Sequence, residues 1–132
     1  MKFASVRLIA ADINAMVAFY ELVTGEAAEW LAPQFAEIVT PGATLAIGSA
    51  ETVAVFAENS ATSGANRTVI LEFMVEDVDA VFDRLNGKSE LVHAPKLLPW
   101  GNRTFQVRDP EGSAISIFTP FTDAAKARFG SR

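Results

Sequence analysis

The chain has no cysteine, and His93 is its single histidine. Disulfides, thiolate nucleophiles and cysteine-built zinc sites are therefore excluded. Long apolar runs are also missing: Arg7 and Asp12 interrupt the first, and Pro41-Gly42 a later one, so no segment reads as a bilayer span. Lys2 is not followed by a long apolar stretch with a small-residue cleavage site. The N-terminus thus does not read as a signal peptide, and the cytoplasm is the expected location. Nor is there an excess of positive charge, since 11 Lys and Arg stand against 16 Asp and Glu for a net charge of −5. Non-specific nucleic-acid affinity comes from neutralising phosphates, so neither nucleic acid nor membrane is an expected partner. Lys126, Arg128 and Arg132 form the one tight basic group and read as a solvated helix end.

What is present is an ordinary core supply. Of the 132 residues, 50% are hydrophobic and 20% charged, enough for a single domain or for two half-domains sharing one core. The organising feature is a repeat. Val6-Arg7-Leu8-Ile9-Ala10-Ala11-Asp12-Ile13 recurs as Leu71-Glu72-Phe73-Met74-Val75-Glu76-Asp77-Val78, an offset of 65 positions. Behind each aspartate the apolar residues keep step: Ile13, Met16, Val17 and Tyr20 map onto Val78, Val81, Phe82 and Leu85.

Each copy reads as a strand, a helix and three more strands. The first strand is expected over Phe3–Ala10, with Val6, Leu8 and Ala10 on one face and Ser5, Arg7 and Ile9 on the other. Asp12 reads as an N-cap, and the helix runs to Thr24 before Gly25. Strands are expected at Ala28–Leu31, Phe35–Thr40 and Thr44–Gly48. Glu58–Asn66 is small and polar, a linker signature. The pattern restarts with a strand at Thr68–Val75, an N-cap at Asp77, and a helix to Leu85 stopped near Gly87. Strands should follow at Glu90–His93, Arg103–Arg108 and Ala114–Thr119, then a short helix within Phe121–Phe129. The expected fold class is α+β. Module 1 spans about residues 1–57, the linker 58–66, module 2 67–120 and a C-terminal segment 121–132. Two βαβββ modules related by a pseudo-twofold, with helices outside, would form a curved sheet around a cavity.

These features resemble the glyoxalase / bleomycin-resistance / extradiol-dioxygenase superfamily, the vicinal oxygen chelate fold. The carriers are the strand before Asp12 with Phe19-Tyr20, then Phe73-Met74-Val75-Glu76-Asp77-Val78-Asp79-Ala80, and Pro99-Trp100-Gly101-Asn102-Arg103-Thr104-Phe105 running into Asp109-Pro110-Glu111-Gly112. The resemblance covers nearly the whole chain. It implies that metal-dependent relatives hold a divalent ion with histidines and glutamates on the first and last strands of each half. The corresponding positions here are Ser5, Ala46, Ile70 and Ser116. Serine, alanine and isoleucine do not form such a site, so no metal and no other cofactor is expected. The resemblance then points to the metal-free, bleomycin-resistance-like branch, and it implies a homodimer.

Candidate ligand-binding residues are Arg7, Trp30, Phe35, Glu72, Trp100, Arg103 and Phe118. Arg7 and Glu72 hold equivalent repeat positions; they read either as an ion pair stitching the halves or as polar contacts for a ligand. Trp30, Phe35, Trp100 and Phe118 could line a cleft for a flat or amphipathic molecule, or simply pack. Arg103 could bind an anion or pair with the acidic surface. His93 lies outside the ligand positions and reads as a hydrogen-bonded strand residue. No catalytic residue is assigned. Asp109-Pro110-Glu111-Gly112 reads as a turn, and no nucleophile–base order or phosphate loop is present. The expected function is metal-independent sequestration of a small aromatic or amphipathic molecule, as in antibiotic-resistance binding proteins. The alternatives are an atypical lyase or isomerase of the same superfamily, with Glu72 as base, and a subunit whose cavity is vestigial.

Overall fold

In the computed structural model the described residues are 1–130; Arg132, counted above in the basic group and the C-terminal segment, lies outside them. The chain forms two compact units, Met1–Asn66 with Pro110–Gly112, and Arg67–Asp109 with the residues from Ser113 onward. The first contains β1 (Ser5–Ala10), α1 (Ile13–Thr24), β2 (Glu29–Ala32), β3 (Phe35–Val39), β4 (Thr44–Ser49) and α2 (Val53–Phe56). The second contains β5 (Leu71–Met74), α3 (Val78–Leu85), β6 (Glu90–Leu97), β7 (Asn102–Arg108), β8 (Ala114–Pro120) and α4 (Asp123–Gly130). Among the described residues no helix is long and apolar enough to cross a membrane.

The sheets share one plan. Their strand orders are β1-β4-β3-β2 and β5-β8-β7-β6. In each, the first strand runs parallel to the last while the other pairs are antiparallel. The fold is thus α+β, built as two similar βαβββ modules with mixed sheets.

Both repeated aspartates cap their helices. Asp12 accepts from the amide of Ala15 and Asp77 from that of Ala80, each at 3.1 Å, which satisfies a donor that no helical carbonyl can reach. Gly25 ends α1 at φ 73°, its amide donating to Glu21 O, a conformation that costs glycine little. On α1 the residues Met16, Val17, Tyr20 and Val23 are buried at helical spacing, and β3 and β4 contribute Ala36, Ile38, Leu45 and Ile47 to the core. In the second unit Val78, Val81 and Leu85 of α3 are buried, as are Phe105, Val107, Ile115 and Ile117 of β7 and β8. The turn residue Glu111 belongs to the first unit, where its carboxylate accepts from the amides of Ala11 at 3.0 Å and Asp12 at 3.2 Å. What the sequence offered as a plain turn is also a clasp on the start of α1.

Several boundaries differ from the sequence reading. The first strand begins at Ser5 rather than Phe3, because β4 starts opposite it at Thr44 and leaves nothing for Phe3 to pair with. The fifth strand is Leu71–Met74, shorter at both ends than Thr68–Val75. The sixth strand continues past His93 to Leu97, since an edge strand accommodates Pro95 through two register shifts. A 3-10 turn at Ala50–Thr52 and the short α2 fill a stretch for which no element was expected.

Candidate functional site

Strand alternation and register sort each sheet into a helix-facing side and an opposite side. In the first unit the helix side is apolar. The opposite side carries two rows of side chains read straight across the strands. One runs Arg7, Ala46, Glu37, Glu29; the next runs Ile9, Gly48, Phe35. Ala46 and Gly48 are small and buried, which leaves room above them for larger side chains of the flanking elements.

Into that space comes the guanidinium of Arg7. Its Cζ lies 4.4 Å from the ring centroid of Phe35 and 5.4 Å from that of Phe56 on α2. Contacts of this kind are each worth about 0.5–1 kcal/mol at exposed sites. A β-carbon on Gly48 would stand 3.5 Å from Arg7 Nη1 and 2.7 Å from Thr52 Oγ1, so glycine leaves the room that both neighbours use. Among the described residues the guanidinium makes no hydrogen bond and no ion pair. Glu37 shares its row but stands two strands away, about 10 Å by strand spacing. Arg7 is therefore held by rings, and its five donors meet no acceptor among the described residues.

The second unit presents the matching row Glu72, Ser116, Gln106, His93. Gln106 Nε2 donates to Ser116 Oγ at 3.1 Å, across the β7–β8 pair. The neighbouring row holds Met74, Phe118 and Thr104. Phe118 is buried and its ring lies 5.0 Å from that of Phe129 on α4, so the C-terminal helix covers this part of the face. The tight fit of α4 depends on Gly101, where a β-carbon would collide with Thr122 Oγ1 and sit 3.0 Å from Ala125 Cβ.

The sequence-derived candidates are distributed as follows. Arg7 and Phe35 are brought together. Glu72 is exposed at the position matching Arg7. Trp30 pairs with Ala36, a helix-side residue, and so does not share the face of Arg7 and Phe35; the bulge at Leu31 follows it and brings Ala32 opposite Phe35. Trp100 is more than half exposed in the hairpin tip between β6 and β7, where Gly101 takes φ 94°. Arg103 alternates with Thr104 and so points to the α3 side, where it grips Asp79 with two hydrogen bonds of 2.8 and 3.0 Å. Of its two expected roles, pairing with an acidic group is the one formed. Phe118 packs against Phe129 rather than facing open space. His93 joins a sheet row, its Nδ1 2.9 Å from Ala94 O.

The positions assigned to metal ligands do not fit a metal. Ser5 pairs with Thr44, not with Ala46, whose partner is Arg7. Ile70 precedes β5 altogether. In either register the four positions offer at most one carboxylate, Glu72. Among the described residues no three His, Asp or Glu side chains cluster closely enough to hold an ion. A crevice between Phe82, Leu85 and Val107 has a volume of about 30 Å³, room for a single water and not for an organic ligand.

Two residues of these faces were not singled out in the sequence, Phe56 and Phe129. Each follows the last strand of its module on a short helix and lays a ring over the face.

Comparison with solved structures finds this architecture repeatedly. A glyoxalase/bleomycin resistance protein/dioxygenase family enzyme from Burkholderia phytofirmans PsJN is 23% identical with a TM-score of 0.79, covering 92% of this chain and 100% of its own. A protein of unknown function from Agrobacterium tumefaciens is 27% identical with a TM-score of 0.75, over 90% of this chain and 94% of its own. A glyoxalase-related enzyme from Fulvimarina pelagi is 21% identical with a TM-score of 0.77, over 90% of this chain and 88% of its own. At such identities the likeness concerns the fold. A comparison with curated proteins finds no match. The description that fits the sequence itself is the glyoxalase-like domain, which matches residues 3–122, and the chain belongs to that family.

Proposed function

We propose that this protein binds and sequesters a small aromatic or amphipathic organic molecule without a metal, on the branch of the superfamily that includes antibiotic-resistance binding proteins. One observation carries the reading. Arg7 is held beside Phe35 and Phe56, its donors meeting no acceptor among the described residues, over the room left by Ala46 and Gly48. Binding sites combine apolar and aromatic walls with a few placed polar groups, and this arrangement supplies both. The four metal-ligand positions carry residues suited to contact rather than coordination.

The same proposal includes a homodimer in the cytoplasm. All four residues of edge strand β2 are exposed, Trp30 and Leu31 among them, and an uncovered apolar edge is commonly closed by twofold pairing. Sedimentation at micromolar concentration checks this, with a dimeric species expected.

Native mass spectrometry of the purified protein, followed by a thermal-shift screen of neutral and charged aromatic compounds, tests the binding reading. The expected result is a subset of compounds that raises Tm in wild type and does so less in Phe35→Ala. Turnover of any compound in the screen would favour the lyase or isomerase alternative. Stoichiometric zinc, nickel, manganese or iron bound by residues of these faces would remove the metal-free reading.

A further inference from the structure

On the sheet face away from α1 the first unit places one cation, Arg7, and among the described residues gives it no anion. Phe35 and Phe56 approach the Arg7 guanidinium, and rings supply no hydrogen-bond acceptor in the plane where its N–H groups point. The other charged residues of this sheet face, Glu37 and Glu29, are carboxylates set two and three strands away in the same row. Neither forms an ion pair with Arg7. A guanidinium whose rotamer is steadied by two rings loses less freedom when it takes a planar oxyanion, and its fork geometry matches a carboxylate with two parallel bonds.

The surroundings limit the charge such a ligand can carry. The chain is net negative, at −5, and the row beyond Ala46 is acidic. One negative group meets Arg7 favourably; a second would lie toward Glu37 without a partner. The remaining walls near the guanidinium are apolar, with Ile9 beside Gly48 in register and the two phenyl rings above. From these constraints we infer that the Arg7–Phe35–Phe56 cluster is a recognition site for an organic monocarboxylate with an aromatic or apolar body. This rests on the binding reading above and names its ligand class.

The test needs only weak ligands of the right chemistry. Benzoate and benzamide share a ring and differ in the charged group, and nuclear magnetic resonance detects millimolar binding. The Arg7 Nε–H signal, assigned with Arg7→Met, and the ring protons of Phe35 and Phe56 are followed in titrations of the full chain at neutral pH. Benzoate is expected to shift all three and to bind at least about tenfold more tightly than benzamide, and benzene-1,3-dicarboxylate to bind more weakly than benzoate. In Arg7→Met, with its remaining spectrum unchanged, the preference for acid over amide should disappear.

Ring shifts from both probes with Arg7 unmoved, or equal affinities, would overturn the monocarboxylate class and leave the binding reading intact. A dicarboxylate that binds as well as benzoate would overturn the limit to one charge. No shift on this face from either probe would count against the class and the binding reading together.

Discussion

The two modules share strand order, register and aspartate-capped helices, yet they fill the same face differently. Gly48 and Phe118 occupy matching places, opposite Ile9 and Met74 on the first strands. On the neighbouring strand the sizes reverse, with Phe35 beside Gly48 and Thr104 beside Phe118. Each row therefore holds one phenyl ring, moved by one strand between copies. In the first module the vacated place admits the guanidinium of Arg7. In the second the ring fills the row and Phe129 covers it. A repeat can thus conserve backbone register while side-chain volume shifts across it, leaving room for the Arg7 guanidinium on one face and filling the other with packed rings.

The largest effect should come from deleting those rings one at a time. Phe118 is 6% exposed, so Phe118→Ala removes a well-packed ring and should cost about 3–5 kcal/mol in urea denaturation. Phe35 is only half-buried, and Phe35→Ala should cost well under half as much while releasing Arg7. Equal losses would mean that both rings are packing and would erase the distinction between the faces.

A smaller effect sharpens the comparison at Gly48. An added β-carbon would lie 2.7 Å from Thr52 Oγ1, whose hydroxyl donates to Ser49 O at 2.8 Å. Gly48→Ala should force that hydroxyl to turn and lose its bond, at a cost of about 0.5–1.5 kcal/mol. With Thr52→Ala already in place the same change should be close to neutral. A double-mutant cycle measures the coupling, and additive effects would show that Thr52 is not the obstacle.

How much of this was legible follows from which interactions are local. Both caps and the Gly25 stop depend on neighbours within a helical turn and could be read directly, and the repeat needs only the sequence set against itself. Trp30 reads as a cleft residue or as packing with no face assigned, because the pairing that sets it opposite Ala36 is a choice between strands that Glu29-Trp30-Leu31-Ala32 alone does not encode. Pairing of Arg103 with the acidic surface is one of its two readings, and its alternation in phase with the buried Phe105 and Val107 is the pattern that puts it on the α3 side. Phe56 stayed hidden because a four-residue helix has too few positions for periodicity to register. The contact of Phe129 with Phe118 joins a terminal helix to a strand, a tertiary choice that local pattern does not encode.

The smallest effect separates two arginines, Arg7 without an acidic partner and Arg103 with one. Hydrogen bonding to Arg103 holds the Asp79 carboxyl below its ordinary range, and the same bond raises Arg103. A carboxylate depressed in the folded state contributes stability above its unfolded-state pKa, and that contribution is lost as pH falls through the folded-state value. The pair should therefore support the fold at neutral pH and cease to do so on acidification through the carboxylate range. Arg103 stays protonated throughout. Its side chain is 37% exposed and that of Asp79 53%, so solvent and salt screen the interaction and the effect is slight. Asp79→Asn and Arg103→Gln should each lower Tm slightly at pH 7 in low salt, with no further loss when combined. The difference from wild type should fade at acid pH and in about 1 M sodium chloride, where the Debye length falls to about 3 Å from about 30 Å at about 0.01 M. A deficit that persists under both conditions would assign the effect to uncharged packing and hydrogen bonding of these side chains, and not to the ion pair or to the charge of Asp79 in the first turn of α3.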